Sequence, residues 1–186
     1  MKEKVISMIH VSKPMTDLPK EYKTPLQEMT YKFLDENNIP FSRVENDEAV
    51  TMEDCIEIDK ALDMKTVKTL FLCNRQKTNF YLFVTAGDKP FVTKDFSSAL
   101  GISRVSFASA EKLDEIIGTK VGATTIFGVL RPEAEDVQVV FDKVVCEDEW
   151  YGCSDGTTTG YMKLKTKDIL EKLLPYSRHR YTVIDV

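Results

Sequence analysis

Lys68 stands inside an apolar, strand-like run, Val67-Lys68-Thr69-Leu70-Phe71-Leu72. Side chains alternate along a strand, so Lys68 shares a face with Leu70 and Leu72, while Val67, Thr69 and Phe71 share the other. A lysine on an apolar face either snorkels from a strand end to water or is held in a pocket, where burial demands an anionic partner such as a phosphate. A second segment, Val121-Gly122-Ala123-Thr124-Thr125-Ile126-Phe127-Gly128, is built of small and hydroxyl residues followed by an apolar run. Small residues let backbone approach a ligand, and free N–H groups can face an oxyanion; the same residues also read as a turn leading into a strand. The third segment, Trp150 to Gly160, combines glycines, hydroxyls and the carboxylate of Asp155. It reads either as a polar site or as a long loop. Ser154 has no histidine within local reach, so a Ser-His-Asp triad is not supported. No nucleophile-elbow, Walker A or dinucleotide-binding glycine motif occurs.

The elements that must position these residues follow from pattern. Thr24 caps a helix with Pro25 at its first position, and Leu26, Met29, Phe33 and Leu34 recur at helical spacing until Asn37-Asn38 and Pro40 end it. Phe41 to Val44 reads as a short strand, and Thr51 with Asp54 as a helix start. Thr66 to Asn74 and Asn79 to Ala86 form the strongest strand pair, joined by the polar link Arg75 to Thr78 as a hairpin. A helix over 93–100 stops at Gly101, a strand spans 105–107, and a helix capped by Ser109 ends at Gly118. Strands are expected over 124–130, 137–142 and 159–164, a last helix over 166–174, and an edge strand over 182–184. Residues 1–23, irregular and carrying Pro14 and Pro19, read as an N-terminal arm ahead of one domain over 24–186. Hairpins and helices both occur between strands, which points to an α+β fold with a mixed, largely antiparallel sheet.

Composition narrows the function classes. The chain has 186 residues, 42% hydrophobic and 30% charged, which is the make-up of a soluble domain with a real core. No apolar run has the length of a membrane span, and the broken apolar stretch from Val5 to Val11 is too short for a signal peptide, so the cytoplasm is the expected compartment. The four cysteines lack CxxC spacing and only His10 and His179 exist, so no metal site is expected and the thiols read as free. The net charge of −5 argues against generic nucleic-acid affinity. Yet between Lys60 and Arg104 eight basic residues face only Asp63, Asp88 and Asp95, a local balance of +5. Such a stretch is a solvated face or a surface that meets phosphates.

These residues resemble the YbaK/prolyl-tRNA-synthetase-associated domain family. Val67 to Thr78 resembles the family's lysine-bearing strand. Val105-Ser106-Phe107-Ala108-Ser109-Ala110-Glu111-Lys112-Leu113 resembles its lead into the helix before the glycine loop, where Gly122 to Gly128 falls. Trp150 to Cys153 and Leu164 to Leu170 match its C-terminal part, and the likeness, in the manner of the free-standing PrdX/ProX-type members, covers residues 24–186. The resemblance implies a curved mixed sheet flanked by helices. It also implies an aminoacyl-tRNA deacylase that removes a wrongly attached small amino acid, often alanine, from prolyl-tRNA. Carried over, Lys68 holds the terminal adenosine or its phosphate and Gly122 opens the loop at the scissile carbonyl. Thr69, Ala123, Thr124, Cys153, Ser154, Asp155 and Thr158 are the expected substrate-binding residues. No cofactor is implied. The implied partner is the acceptor end of aminoacyl-tRNA, with prolyl-tRNA synthetase or an elongation factor beside it. Ile126 stands where the family often has proline, Ser154-Asp155 where many members have His-Pro, and Thr158 where they have asparagine. An aminoacyl ester is already activated, so positioning a water and stabilising developing charge suffice, with the neighbouring ribose hydroxyl assisting proton transfer. The competing readings are a binding module without turnover and a thiol enzyme using Cys153, for which no partner histidine is at hand.

Overall fold

The computed structural model describes residues 8–186, so the first seven residues of the expected arm lie outside the described residues. Residues 8–23 run beside the first strand, touching it through isolated bridges between Val11 and Asn46 and between Met15 and Arg43. Helix α1 (Pro25–Glu36) begins where Thr24 Oγ1 accepts the Gln27 N–H at 3.0 Å, and Leu26, Tyr31, Phe33 and Leu34 turn its apolar face inward. Strand β1 (Ser42–Glu45) follows. Thr51 and Asp54 form a turn in which Asp54 Oδ2 accepts the N–H groups of Val50 and Thr51, and α2 (Ile56–Leu62) starts just beyond it.

The hairpin pairs β2 (Val67–Cys73) with β3 (Phe80–Ala86), Val67 opposite Ala86 and Cys73 opposite Phe80. After α3 (Thr93–Leu100) come β4 (Ser106–Phe107), α4 (Ala110–Lys112), β5 (Gln138–Asp142), α5 (Lys143–Glu147), β6 (Trp150–Ser154) and β7 (Gly160–Lys165). The C-terminal helical stretch holds α6 (Thr166–Asp168) and α7 (Leu174–Tyr176), and β8 (Tyr181–Ile184) closes the chain. The strands form two sheets, a three-stranded one in the order β1-β7-β6 and a five-stranded one in the order β4-β2-β3-β5-β8. Among the described strand pairs, β3–β5 and β5–β8 are parallel and the others antiparallel. One core lies between the sheets, with Phe71, Leu82 and Phe141 on one side and Tyr151, Met162 and Leu164 on the other, sealed by Tyr31 and Leu34 of α1. The opposite face of the larger sheet buries Leu72, Phe83 and Val140 under Phe96 of α3. Among the described residues no helix is long and apolar enough to cross a membrane.

Two segments differ from the sequence pattern. Residues 124–130, expected as a strand, form a 3-10 helix over Ile126–Leu130 with Thr125 as its cap. Ile126 to Val129 are all buried, and a continuous apolar run without alternation suits either structure, so packing decided. Conversely, Trp150–Ser154 is a strand, although Gly152, Cys153 and Ser154 carry little intrinsic preference for one; pairing with β7 supplies it.

Besides the shared core, an isolated parallel backbone bridge between Thr66 and Gly152 joins the two sheets. A Cβ at residue 152 would lie 2.7 Å from Met64 Sδ and 2.8 Å from the Lys65 carbonyl oxygen, so only glycine lets β6 come this close. Gly152→Ala is therefore expected to destabilise the protein by about 1–3 kcal/mol, read as a lower urea midpoint at unchanged slope.

Candidate active site

The outer edge of β2 is where the chemistry-bearing residues gather. At its far end β4 pairs with Leu72 and Cys73, and the Ala108 N–H donates to the Phe71 carbonyl at 3.0 Å. At its near end Thr66 bridges Gly152. Peptide groups alternate direction along a strand, so those of Thr69 face the same way as the Phe71 carbonyl, and among the described residues no strand lies against them. The gap is a cleft of about 400 Å³. Lys68, Thr69, Gly122, Thr124, Cys153 and Ser154 line it, joined by Val50 to Met52, Phe107, Leu113 and Tyr161. Among the described residues that line it, Lys68 is the only charged side chain, and no carboxylate or imidazole takes part.

Lys68 is half-buried on the face of β2 that carries Leu70 and Leu72, and its Nζ donates to the Lys89 carbonyl at 2.7 Å. That leaves two of the three ammonium protons for a ligand. The carbonyl is itself fixed. Lys89 Nζ lies 2.7 Å from Oδ2 of the fully buried Asp142, which also accepts the Thr85 hydroxyl at 2.8 Å. Asp142, at the end of β5, thus anchors the loop that aims the Lys68 amine.

Gly122 has φ of +90°, a conformation L side chains rarely adopt, and a Cβ there would lie 2.7 Å from Val50 Cγ1. The Ala123 N–H donates to the Lys120 carbonyl at 3.0 Å, whereas the N–H groups of Gly122 and Thr124 have no protein acceptor among the described residues. They are the available donors for an oxyanion in this wall. Ala123 itself is buried and outside the cleft lining.

Ser154 Oγ donates to the Thr157 carbonyl at 2.7 Å and accepts the Gly156 N–H at 3.0 Å, so its proton is committed to shaping the loop. Asp155, expected to bind substrate, is 1% exposed and turns away from the cleft. Its Oδ2 accepts Gln27 Nε2 and the Tyr31 hydroxyl, both at 2.9 Å, and its Oδ1 accepts the Thr157 N–H and hydroxyl at 3.1 and 2.7 Å. The carboxylate is needed where it is because it fastens the 154–160 loop to α1. Thr158 also stays outside, its carbonyl taking the Ala49 N–H at 2.9 Å and Asn46 Nδ2 at 3.2 Å. The spacing of these residues gave no hint of Gln27 and Tyr31, more than a hundred positions away, as the partners of Asp155.

Burial pushes the Cys153 thiol well above its usual range, a hydrogen bond to Thr125 offsetting only part of it, and burial raises Cys55 as well. A neutral, desolvated thiol is a poor nucleophile. The two histidines stand apart from the cleft. His179 is buried between the Ala134 carbonyl at 2.8 Å and Ser177 Oγ at 2.9 Å, and His10 is exposed beside Asp47.

The cleft between the two sheets thus brings together, among the described residues, one ammonium and free backbone donors. The chain belongs to the aminoacyl-tRNA editing domain family, whose sequence profile matches residues 46–172. It is 29% identical over 153 residues to the prolyl-tRNA editing protein ProX of Acetoanaerobium sticklandii, a match spanning 82% of this chain and 93% of that protein. Two crystal structures share the fold at 15% identity. One, of a hypothetical protein, superposes with a TM-score of 0.65 over 84% of this chain and 98% of its own. The other, of a candidate trans-editing enzyme for prolyl-tRNA synthetase, gives 0.63 over 89% and 99%.

Two outcomes are expected from this geometry. Lys89→Met leaves Asp142 buried without its cation and frees the loop that holds Lys68. Since Lys89 is itself partly exposed, the loss of stability should be about 2 kcal/mol, measured by urea unfolding, with a fall in deacylation beyond what unfolding explains. The second concerns pH. Cys153, Cys55, Tyr31, Tyr151 and Tyr161 are all raised by burial, Tyr31 also by the Asp155 carboxylate. The folded protein keeps these protons while the unfolded chain loses them near pH 8.5 for thiols and about 10 for phenols. Stability is therefore intact below about pH 8 and declines as pH rises, by up to about 1.4 kcal/mol per pH unit for each group. A urea midpoint that holds constant from pH 8 to 10.5, or rapid modification of Cys153 in the folded protein at pH 8, would contradict it.

Proposed function

We propose that the protein is a trans-editing deacylase that hydrolyses the ester of a mischarged aminoacyl-tRNA carrying a small amino acid, with alanyl-tRNA(Pro) as the first substrate to test. The observation that carries this reading is the cleft's charge inventory: among its described lining residues, one ammonium from Lys68 and no carboxylate or imidazole. Such a site is suited to an anionic ligand whose reacting group needs little activation. An aminoacyl ester on the 3′ end of tRNA is that ligand: its phosphate pairs with an ammonium, and its carbonyl is already electrophilic. Family membership and the likeness to a prolyl-tRNA editing protein support the same substrate class.

In this reading Lys68 grips the terminal nucleotide through its phosphate or adenosine. The N–H groups of Gly122 and Thr124 receive the carbonyl oxygen as it gains charge. Thr69 presents unpaired strand peptide groups alongside the amino acid, and Cys153 and Ser154 form the floor that limits its size. Ala123 stiffens the loop from within, and Asp155 and Thr158 hold the opposite loop in register. Water attacks, and the ribose hydroxyl next to the ester carries the proton, since the described lining supplies no carboxylate or imidazole to take it. Release of the amino acid and free tRNA completes the reaction. The protein would meet its substrate after release from prolyl-tRNA synthetase or from an elongation factor, in the cytoplasm.

The test is a deacylation panel of alanyl-, seryl-, cysteinyl- and prolyl-tRNA. The wild type should clear alanyl-tRNA(Pro) at catalytic enzyme levels, and Lys68→Ala should lose at least about a hundredfold in kcat/KM, of the order of 3 kcal/mol at the transition state. Because Lys68 makes a single bond to a carbonyl at the cleft edge, the variant should remain folded by circular dichroism. The rate should show no acid limb near pH 6, where an imidazole or raised carboxylate would titrate. Full activity of Lys68→Ala removes that lysine from the mechanism, and tight binding of aminoacyl-tRNA without ester cleavage replaces the enzyme with a binding module.

A further inference from the structure

Phe107 occupies the two-residue strand β4 opposite Leu72, lines the cleft that holds Lys68, and yet is 58% exposed. Its ring is supported from one side. It meets Phe91 at a centroid distance of 5.7 Å with planes at 72°, and Phe91 in turn packs on Phe83 and Phe96 at 5.8 and 6.1 Å. An aromatic ring backed by a cluster and open on its outer side is a preformed surface for another flat group.

Charge around it says which flat group. In a chain of net charge −5, residues 64–87 and 96–110 contain no aspartate or glutamate. Their cations include Lys68, Arg75, Lys77 and Arg104, and none of these four is in an ion pair among the described residues. Their order in space follows from register. β2 runs from Lys68 to the hairpin turn that carries Arg75 and Lys77. β4 runs antiparallel to it, Ser106 opposite Cys73, which brings Arg104 toward the same turn. The turn is stiffened by Asn74 Oδ1, which accepts the N–H groups of Thr78 and Asn79 at 2.9 and 3.0 Å. From Lys68 outward, this side of the sheet therefore presents an amine on β2, then about 13 Å along the strand the exposed ring on β4, then three cations unpaired among the described residues. An exposed ring flanked by cationic groups along a strand suits a single-stranded nucleic acid, whose bases stack while its phosphates pair.

We propose that Phe107 is the stacking platform for the base immediately 5′ of the terminal adenosine, and that Arg104, Arg75 and Lys77 take the phosphates that follow. The 3′ tail thus leaves the cleft along β2 toward the hairpin turn. This deepens the deacylase reading and rests on it for the identity of the RNA.

Equilibrium binding of adenosine monophosphate, the trinucleotide C-C-A and an uncharged acceptor microhelix tests the assignment, with alanyl-tRNA(Pro) hydrolysis followed in parallel. The wild type should bind C-C-A about tenfold more tightly than the mononucleotide. Phe107→Ala, folded because its ring is mostly exposed, should lose that gain, and Phe107→Trp should keep it. The triple variant Arg75→Gln, Lys77→Gln, Arg104→Gln should flatten the salt dependence of microhelix binding by a log–log slope of about 2. An undiminished gain in Phe107→Ala overturns the platform, even where the wild type strips the ester. A wild type that leaves the ester intact but shows a Phe107-dependent gain supports the platform and overturns the deacylase reading alone.

Discussion

A strand edge carries alternating peptide groups that need partners, and the outer edge of β2 is only partly supplied with them. β4 is two residues long and covers Leu72 and Cys73, while β6 touches the other end through the single bridge from Thr66 to Gly152. Between these points the sheets part. The parting creates the cleft, exposes the peptide groups of Thr69 and brings loops from distant parts of the chain to its rim. A longer β4 would complete the sheet and abolish the cavity; a side chain at Gly152 would hold the sheets apart where they must join. The site is a consequence of incomplete pairing held open by a well-packed core on either face of β2.

The chemistry that such a gap can perform follows from what is absent from its lining as much as from what is present. With Lys68 as the one charge among its described lining residues, the cleft favours anions and offers hydrogen bonds without a proton acceptor of its own. This suits an ester that is reactive before it arrives, because the barrier is lowered by orientation and by donors placed where charge develops. The acidic groups are kept out of the way by being used. Asp142 neutralises Lys89 at the base of the loop that holds Lys68, and Asp155 collects four donors to bind the 154–160 loop to α1. Each carboxylate would offset the charge of Lys68 if it lined the cleft; both act instead through backbone they hold in place.

Much of the framework was legible in the chain. The Thr24-Pro25 helix start, the hairpin of β2 and β3, the helix stopped at Gly101 and the edge strand β8 all rest on local signals such as a cap, a β-branched run or a turn residue, and the fold shows them at the expected places. The 3-10 turn over Ile126–Leu130 and the strand Trp150–Ser154 were not legible, because the first is an apolar run without period and the second is paired into shape by β7. Of the expected site residues, Lys68, Thr69, Gly122, Thr124, Cys153 and Ser154 share the cleft, whereas Ala123, Asp155 and Thr158 stand behind its walls.

What the sequence determined by itself was which residues could act: a lysine in an apolar strand, a glycine that tolerates positive φ, a hydroxyl-rich loop, and a basic stretch in an acidic chain. Those properties belong to the residue and its near neighbours. Which of them face one another was decided only in three dimensions. Whether a side chain at Ser154 or Asp155 points into a cavity or into a wall depends on α1, more than a hundred residues away, and on the bridge that sets the distance between the sheets. Such contacts leave no periodicity in the chain, because they are set by packing between surfaces rather than by the conformation of any one segment.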